Sequence, residues 1–434
     1  MRRKLLVLFE TAWDRPQLEA CRPAWEDRYE VAFADPSDAE TPWSLDILAY
    51  VREEAERRRG RVDGVLSTSD YPGATTTALL AEALGLPGAE PRRVLCASHK
   101  YYSRLAQREV APEAVPGFAL IDLTDPGTWD PSIGFPCFVK PVKGAFSVMS
   151  GKMGERGELA AFLGGPQARW FREEFTTIFD RLVAHFGLEH DGRWFLAEEL
   201  LHGRQATVEG WRTRTDSGTL GVVDSVFQPG THSFVRFDYP STLPAGVQDR
   251  MTAAADRVVE HLELADTLYN VEMVWDPDTD RLGIIEVNPR ACGQFGDLYQ
   301  KVDGVHGFEV ALALAAGDPP PSRRREGAFG AAASFPLRVF EPSRVARAPG
   351  PDEVRAVLAE HPGALAWVEC STGDVLQEFV GLEDGASYRY AVLHAGGTDL
   401  DDVLAQGERL REALDFRLEP VDPAAQGSSA TRAV

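Results

Sequence analysis

The stretch Asn270–Arg290, NVEMVWDPDTDRLGIIEVNPR, decides how the rest of the chain is read. Two apolar segments, Val271–Trp275 and Leu282–Val287, flank an acidic turn, Asp276-Pro277-Asp278-Thr279-Asp280, which is the pattern of a β-hairpin. Antiparallel pairing about that turn sets Glu272 opposite Glu286, and the two-residue period of a strand puts Asn288 on the same side as Glu286. Like charges opposed across a ladder are destabilising, and Val271, Met273, Val274, Ile284, Ile285 and Val287 make the surroundings too apolar for an open surface. A divalent cation between the carboxylates would remove the conflict, with the Asn288 amide oxygen as a third ligand suited to Mg²⁺. A surface hairpin whose two glutamates splay into solvent satisfies the same spacing, so the hairpin alone leaves both readings open.

The chain has 434 residues, too many for one ordinary core, and its 44% hydrophobic and 26% charged content is that of a globular protein of two to four domains. A net charge of −22 argues against nucleic acid or an anionic membrane as the main partner, because both require a basic surface. Any polyanionic ligand must then meet a local cluster of Lys and Arg. Cys21, Cys96, Cys137, Cys292 and Cys370 are scattered singly with no CxxC pair, which indicates neither a zinc ribbon nor a disulfide framework and suits a reducing, cytoplasmic setting. The basic Met1–Lys4 start leads into an apolar run that Glu10 ends too early for a signal peptide, and Leu5–Phe9 reads as a buried first strand.

Outward from the hairpin, residues 1–97 alternate strands (Lys4–Phe9, Tyr29–Ala34, Val62–Ser67) with helices (Ser44–Arg59, Ala74–Leu84), the signature of a parallel sheet with crossover helices. GxGxxG is missing from it, so no dinucleotide site is assigned there. Residues 98–200 read as a helix over Lys100–Arg108, a strand Cys137–Val142, a loop Lys143–Ser147, a strand around Val148–Met153, helical patterning over Glu158–Phe186 and a strand Trp194–Leu200. Within 201–320 fall a strand Ala206–Trp211, a helix Met251–Leu262, the hairpin and a helix His306–Ala316. A linker, Pro319–Arg325, opens a small α+β unit over 321–422 with strands Ala331–Val339 and Tyr388–His394 and helices Pro351–Ala359 and Leu400–Ala413. The tail 423–434 is small and polar, and is expected to be disordered.

If the hairpin holds magnesium, phosphate-binding groups should lie near, since Mg²⁺ usually bridges carboxylates to substrate phosphates. Lys100 at a helix start and Lys140 within Phe138-Val139-Lys140-Pro141-Val142 are candidates; the alternative for Lys140 is a snorkelling edge-strand residue. The Gly144–Ser147 loop offers backbone N–H groups and the Ser147 hydroxyl as a flap. Arg290, beyond Pro289, could hold a phosphoryl group or a carboxylate, or merely pair with Asp297 or Glu309. Glu198 and Glu199 end an apolar strand at a turn, which a solvated strand end would also explain.

The order of these elements, with FVKPVKGAFSVMSGKM (138–153), FLAEELLHGRQATVEGW (195–211) and VEMVWDPDTDRLGIIEVNPRACG (271–293), resembles the ATP-grasp superfamily over roughly residues 90–320. The resemblance implies an α/β and α+β chain: an N-terminal Rossmann-like parallel-sheet domain (1–97), two α+β subdomains gripping ATP (98–200 as lid, 201–320 as metal-bearing core) and a C-terminal α+β unit. It further implies that Lys100 and Lys140 contact phosphates and that the loop of Gly144 and Ser147 closes over them. Glu198, Glu199 and Leu201 would form the adenine hinge, and Gln205 would sit where a glutamate commonly holds the ribose. Glu272, Glu286 and Asn288 would ligate Mg²⁺, or Mn²⁺ in its place, and Arg290 would act on the reacting phosphoryl group with Lys140.

Within the superfamily the 207–211 segment and the EVNPR-Ala-Cys-Gly run look most like carboxylate–amine ligases, including L-amino-acid ligases. That implies an ADP-forming ligase working through an acyl phosphate, with small-molecule acid and amine as partners and a homodimer left open. Substrate contacts are expected from Glu209, Trp211, His232, Arg236 and Gln294, with Arg236 binding a carboxylate and Glu209 an amine; Arg236 and Asp238 pairing along a strand is the plainer alternative. A carboxyphosphate-forming carboxylase resembling biotin carboxylase, or a non-catalytic nucleotide-binding regulatory module, are the other readings.

Overall fold

Strand β1 (Arg3–Leu8) lies between β2 (Tyr29–Ala34) and β3 (Gly64–Leu66), all parallel. Leu5, Leu6, Val7 and Leu8 are all buried, as a strand covered on both faces requires. The structure, a computed structural model, describes residues 2–34, 45–124, 132–144, 148–377 and 387–421. The expected start of the second helix at Ser44, the flap residues Ala145–Ser147 and the tail 423–434 lie outside the described residues. The helix itself runs Ile47–Arg58, where the Asp46 carboxylate accepts the Ala49 N–H and so caps its first turn. Two helices in this part, Asp14–Ala20 and Pro91–Ser98, went unread in the sequence because each is short, at seven and eight residues.

The chain gathers into two compact units, the first comprising Met1–Val222, Leu243–Gly293 and Gly307–Ser322, the second Val223–Thr242, Gln294–His306 and Arg323–Val434. After the parallel sheet, the first unit carries a four-stranded antiparallel sheet in the order β4 (Phe118–Asp122), β7 (Trp194–Glu199), β5 (Cys137–Pro141), β6 (Gly151–Met153). Its inward residues Val139, Phe195 and Ala197 pack against Leu159, Leu163, Phe171 and Phe175 of the helical segment that follows β6. That segment reads as one helical stretch in the sequence; it is broken at Gly164-Gly165-Pro166, after Arg156–Gly164, and beyond the break Pro166–Trp170 continues through a wider helical turn, Phe171–Phe175, into Thr177–His185.

The first unit also holds β8 (Arg204–Arg212), β11 (Thr267–Asp276) and β12 (Arg281–Asn288), in the order β12-β11-β8, with β9 (Ser217–Phe227) next to β8. The helix Ala245–His261 lays Met251, Ala255, Val258 and Val259 into one core with Val208, Val271, Met273, Ile284 and Val287. Alternation turns Val271 and Met273 of β11 to this helix and Glu272 away from it, and in β12 an irregularity between Ile284 and Glu286 lets Ile284 face the helix while Glu286 and Asn288 face the other way.

In the second unit, β10 (Phe234–Tyr239) pairs with β13 (Ala331–Val339), which pairs with β15 (Tyr388–Gly397), which pairs with β14 (Leu365–Val368). The helix Leu400–Ala413 has the expected bounds, and its Asp399 side chain caps it through the Asp402 N–H. The helix Gly296–Asp303 has no counterpart in the sequence reading. Its Asp297 is buried between Lys301 and His394, whose Nδ1 lies 2.9 Å from the carboxylate.

Candidate active site

The hairpin has the register that the spacing predicts: Glu272 is the cross-strand partner of Glu286, and Asn270 that of Asn288. One feature was not foreseen. Met273 pairs with Ile284, so Ile285 is an extra residue in β12 and forms a bulge. The bulge frees the Ile285 carbonyl from the ladder, and it accepts from Lys140 Nζ at 3.0 Å and Arg104 Nη2 at 2.9 Å.

Around the hairpin the charges are laid out in layers. Lys100, the first residue of the helix Lys100–Val110, sets Nζ 3.0 Å from Glu286 Oε2 and donates its backbone N–H to the Val142 carbonyl. Gln205 on β8 donates Nε2 to Glu272 Oε2 at 3.0 Å. Asn288 donates Nδ2 to Glu286 Oε1 at 3.3 Å and to Asn270 Oδ1 at 3.4 Å, so its own Oδ1 is not needed for either contact. Beneath them, the Glu198 carboxylate is held by both Arg104 Nε (2.7 Å) and Arg104 Nη2 (3.1 Å) and by Lys140 Nζ (2.7 Å). Arg104 also donates Nη1 to Gln107. Beside the site, Lys143 Nζ lies 2.8 Å from Asp70 Oδ2, and Arg290 Nε lies 3.8 Å from Asp70 Oδ1.

Burial sets the protonation pattern. Burial and the adjacent charge of Glu286 push the Glu272 carboxyl well above the carboxylate range, and a hydrogen bond between the two carboxyls favours keeping the proton on Glu272. Burial works in the same direction on Glu286, but Lys100 and Lys140 outweigh it and hold Glu286 ionised. Desolvation pulls Lys140 down to about 8 despite Glu198, while Arg104 and Lys140 overcome the burial of Glu198 and bring it to about 2. Two carboxylates that can be ionised together only with added positive charge fit a divalent cation. Among the described residues no group of three His, Cys, Asp or Glu could cage a metal unaided. A cation held here by Glu272, Glu286 and the Asn288 oxygen would keep positions for ligand oxygens.

Several expectations are corrected. Lys140 does not snorkel from an edge strand: β5 runs between β7 and β6, and the residue is 4% exposed. Arg290 pairs with neither Asp297 nor Glu309; Asp70 is its acidic neighbour, Glu309 meets Arg28 at 3.5 Å, and Asp297 meets Lys301. The Glu198 side chain is not at a solvated strand end but forms the buried anchor of Arg104 and Lys140. Glu199 is turned outward and accepts the Gly117 N–H at 2.9 Å, and Leu201 packs over Gly283 of β12. Gly144 is described and its flap neighbour Ser147 is not. Of the expected substrate contacts, Glu209 and Trp211 are buried in β8 of the first unit, with Glu209 Oε1 accepting the Cys292 N–H at 2.7 Å. His232, Arg236 and Gln294 belong to the second unit, where Arg236 pairs with Asp238 at 2.7 Å, the plainer alternative, and Gln294 donates to Ser334 at 2.7 Å. Asp70, Arg104, Gln107 and Lys143 were missed. The apolar setting of Lys143, beside Pro141 and Val142, was the one signal that could have found it.

No family model matches the chain. A solved L-amino acid ligase from Bacillus licheniformis superposes with a TM-score of 0.75 at 16% identity, covering 96% of this chain and 98% of that one. A biotin carboxylase β-γ-ATP complex from Campylobacter jejuni gives 0.64 at 14% identity, over 97% and 93% of the two chains. This is the ATP-grasp fold. A phosphoribosylglycinamide synthetase from Anaerococcus prevotii shares it at a TM-score of 0.63 and 13% identity, over 96% and 100% of the two chains. In sequence, the chain is 23% identical over 327 residues to the carbamoyl phosphate synthase large chain of Rhodopirellula baltica, covering 70% of this chain and 28% of that longer protein.

Proposed function

We propose that this chain is an ATP-dependent, ADP-forming carboxylate–amine ligase that joins amino-acid-like substrates by an amide bond. The opposed Glu272–Glu286 pair carries the reading, because two carboxylates held together under Lys100 and Lys140 have an electrostatic use only where a cation and a polyphosphate arrive together. The fold shared with an L-amino acid ligase supports it.

In the proposed reaction the acid's carboxylate oxygen attacks the γ-phosphorus of ATP, the bond to the β,γ-bridging oxygen breaks, and ADP leaves. The amine then attacks the acyl carbon of the acyl phosphate, inorganic phosphate leaves and the amine loses a proton. Bound Mg²⁺ would neutralise phosphate charge and align the β- and γ-phosphates. Lys100 and Lys140 offset negative charge on the phosphates, Arg290 steadies the oxygens of the transferring group, and the Glu198–Arg104 layer keeps Lys140 in place. No side chain serves as a covalent nucleophile.

Incubation with ATP, Mg²⁺ and pooled amino acids, read for ADP and new masses, tests the proposal. ADP and a mass equal to two substrates less one water are expected. ADP release that depends on bicarbonate and needs no amine would favour the carboxyphosphate chemistry of a biotin carboxylase, and ATP binding without ADP a regulatory module.

A further inference from the structure

Among the described residues, three buried polar atoms near the Arg290–Gly293 turn make no hydrogen bond: Asp70 Oδ1, Arg290 Nε and Gln17 Oε1. Asp70 Oδ1 and Arg290 Nε have opposite charge yet stand 3.8 Å apart, outside hydrogen-bond reach. Gln17 is fully buried and donates its Nε2 to the Gly293 carbonyl. Asp70 is paired with Lys143 and Arg290 donates Nη1 to the Ala291 carbonyl, yet one oxygen of the first and the Nε–H of the second are left without a hydrogen bond, which is costly in a buried setting.

Asp70 is placed with care. It lies on the loop beyond the carboxyl end of β3, the end at which open parallel sheets bind ligands. On one side of it Thr68 donates Oγ1 to Asp14 at 2.7 Å. On the other, Tyr71 donates its hydroxyl to the Phe175 carbonyl at 2.8 Å and accepts the Phe179 N–H at 2.9 Å. Lys143 occupies Oδ2, so Oδ1 is the oxygen left for a ligand.

We propose that Asp70 determines which acids are accepted, by receiving the ammonium of an α-amino acid whose carboxylate Arg290 holds. This rests on the ligase reading of the site. A plain carboxylate brought to Arg290 has no hydrogen to offer Asp70 Oδ1 and leaves that oxygen unsatisfied. An acid with an ammonium on the neighbouring carbon meets a hydrogen-bond acceptor there instead. Its carboxylate supplies the acceptor that Arg290 Nε lacks.

The test compares L-amino acids with their des-amino counterparts: alanine with propionate, leucine with 4-methylpentanoate, phenylalanine with 3-phenylpropionate. Each is measured for ADP release with an amine present, and for equilibrium binding by calorimetry with ADP and Mg²⁺. The wild type is expected to favour the amino acid by 100-fold or more in both readouts. Asp70→Asn should lower amino-acid kcat/KM by 10- to 100-fold, chiefly through KM, and narrow the preference over the des-amino acid by at least 10-fold; Asp70→Glu should recover part of the preference. Equal use of both acids by the wild type, a parallel loss of both in Asp70→Asn, or binding of neither acid overturns the assignment. The wild-type comparison stands even if a variant fails to fold. Selective binding of amino acids without ADP release would sustain the role of Asp70 and remove the ligase reading instead.

Discussion

Glu272 and Glu286 face each other across the β11–β12 ladder, with Lys100 3.0 Å from the Glu286 carboxylate and Gln205 3.0 Å from that of Glu272. The pair is an electrostatic cost that the fold carries at a site where added positive charge would relieve it. Neutralising Glu286 should cost activity, and it should cost stability as well, because Lys100 loses its ionised partner.

Glu286→Gln removes the ionised partner of Lys100 and the carboxylate that would complete a cation site with Glu272. ADP formation is expected to fall by at least about 10²–10³-fold, the size of loss seen when a charge-stabilising group is removed from an active site. The melting temperature should fall, because Lys100 is left without its ionised partner. Parallel ADP assays and circular-dichroism melts check this; wild-type-like turnover would take the hairpin out of the mechanism.

Arg104→Met should cost stability rather than merely rate. Glu198 and Arg104 are 4% and 1% exposed, and removing one partner of a buried pair costs about 3–5 kcal/mol. Arg104→Lys should recover less than half of that, because one ammonium cannot hold a carboxylate through two N–H groups and also reach the Ile285 carbonyl. Urea unfolding at neutral pH measures both.

His99, fully buried, gives a pH dependence. Burial lowers its pKa to about 3, although its Nε2 bonds the His190 carbonyl at 2.8 Å. The unfolded chain binds that proton near the ordinary pKa of about 6.5, so it holds more protons than the native chain below that pH, and stability falls as pH falls. His99 alone should account for about 2 kcal/mol lost between pH 7.5 and pH 5. Denaturant titrations of wild type and His99→Gln at the two pH values check it: the loss should be smaller in the variant by about that amount.

Gly283→Ala probes the expected adenine hinge. A Cβ there would come within 2.4 Å of a Leu201 methyl, which can swing away. Leu201 should be displaced with little change in melting temperature while the KM for ATP rises several-fold. An unchanged KM would remove Leu201 from the nucleotide site.

The hairpin was legible because its chemistry is periodic: two carboxylates and an amide at two-residue steps along strands otherwise Val, Ile and Met fix both face and register. The bulge at Ile285 was not, since Gly283-Ile284-Ile285 reads as an ordinary strand and the extra residue shows only in pairing. Arg104 and Gln107 were hidden for another reason. On a helix with polar residues at most positions, burial of one arginine is decided by Glu198, 94 residues away. Asp70 sits in a loop whose Ser, Thr and Gly content says turn and nothing more, and its meaning comes from Lys143 and Arg290, brought to it by the fold.

The central claim, that a carboxylate is activated by phosphoryl transfer, is tested most directly with ¹⁸O. Amino acids labelled in the carboxylate are supplied as the pooled substrates with ATP and Mg²⁺, and the phosphate released is analysed by mass spectrometry. The account predicts one ¹⁸O in each phosphate formed with amide product, because the attacking carboxylate oxygen leaves with phosphorus. Unlabelled phosphate accompanying ADP and amide would contradict it.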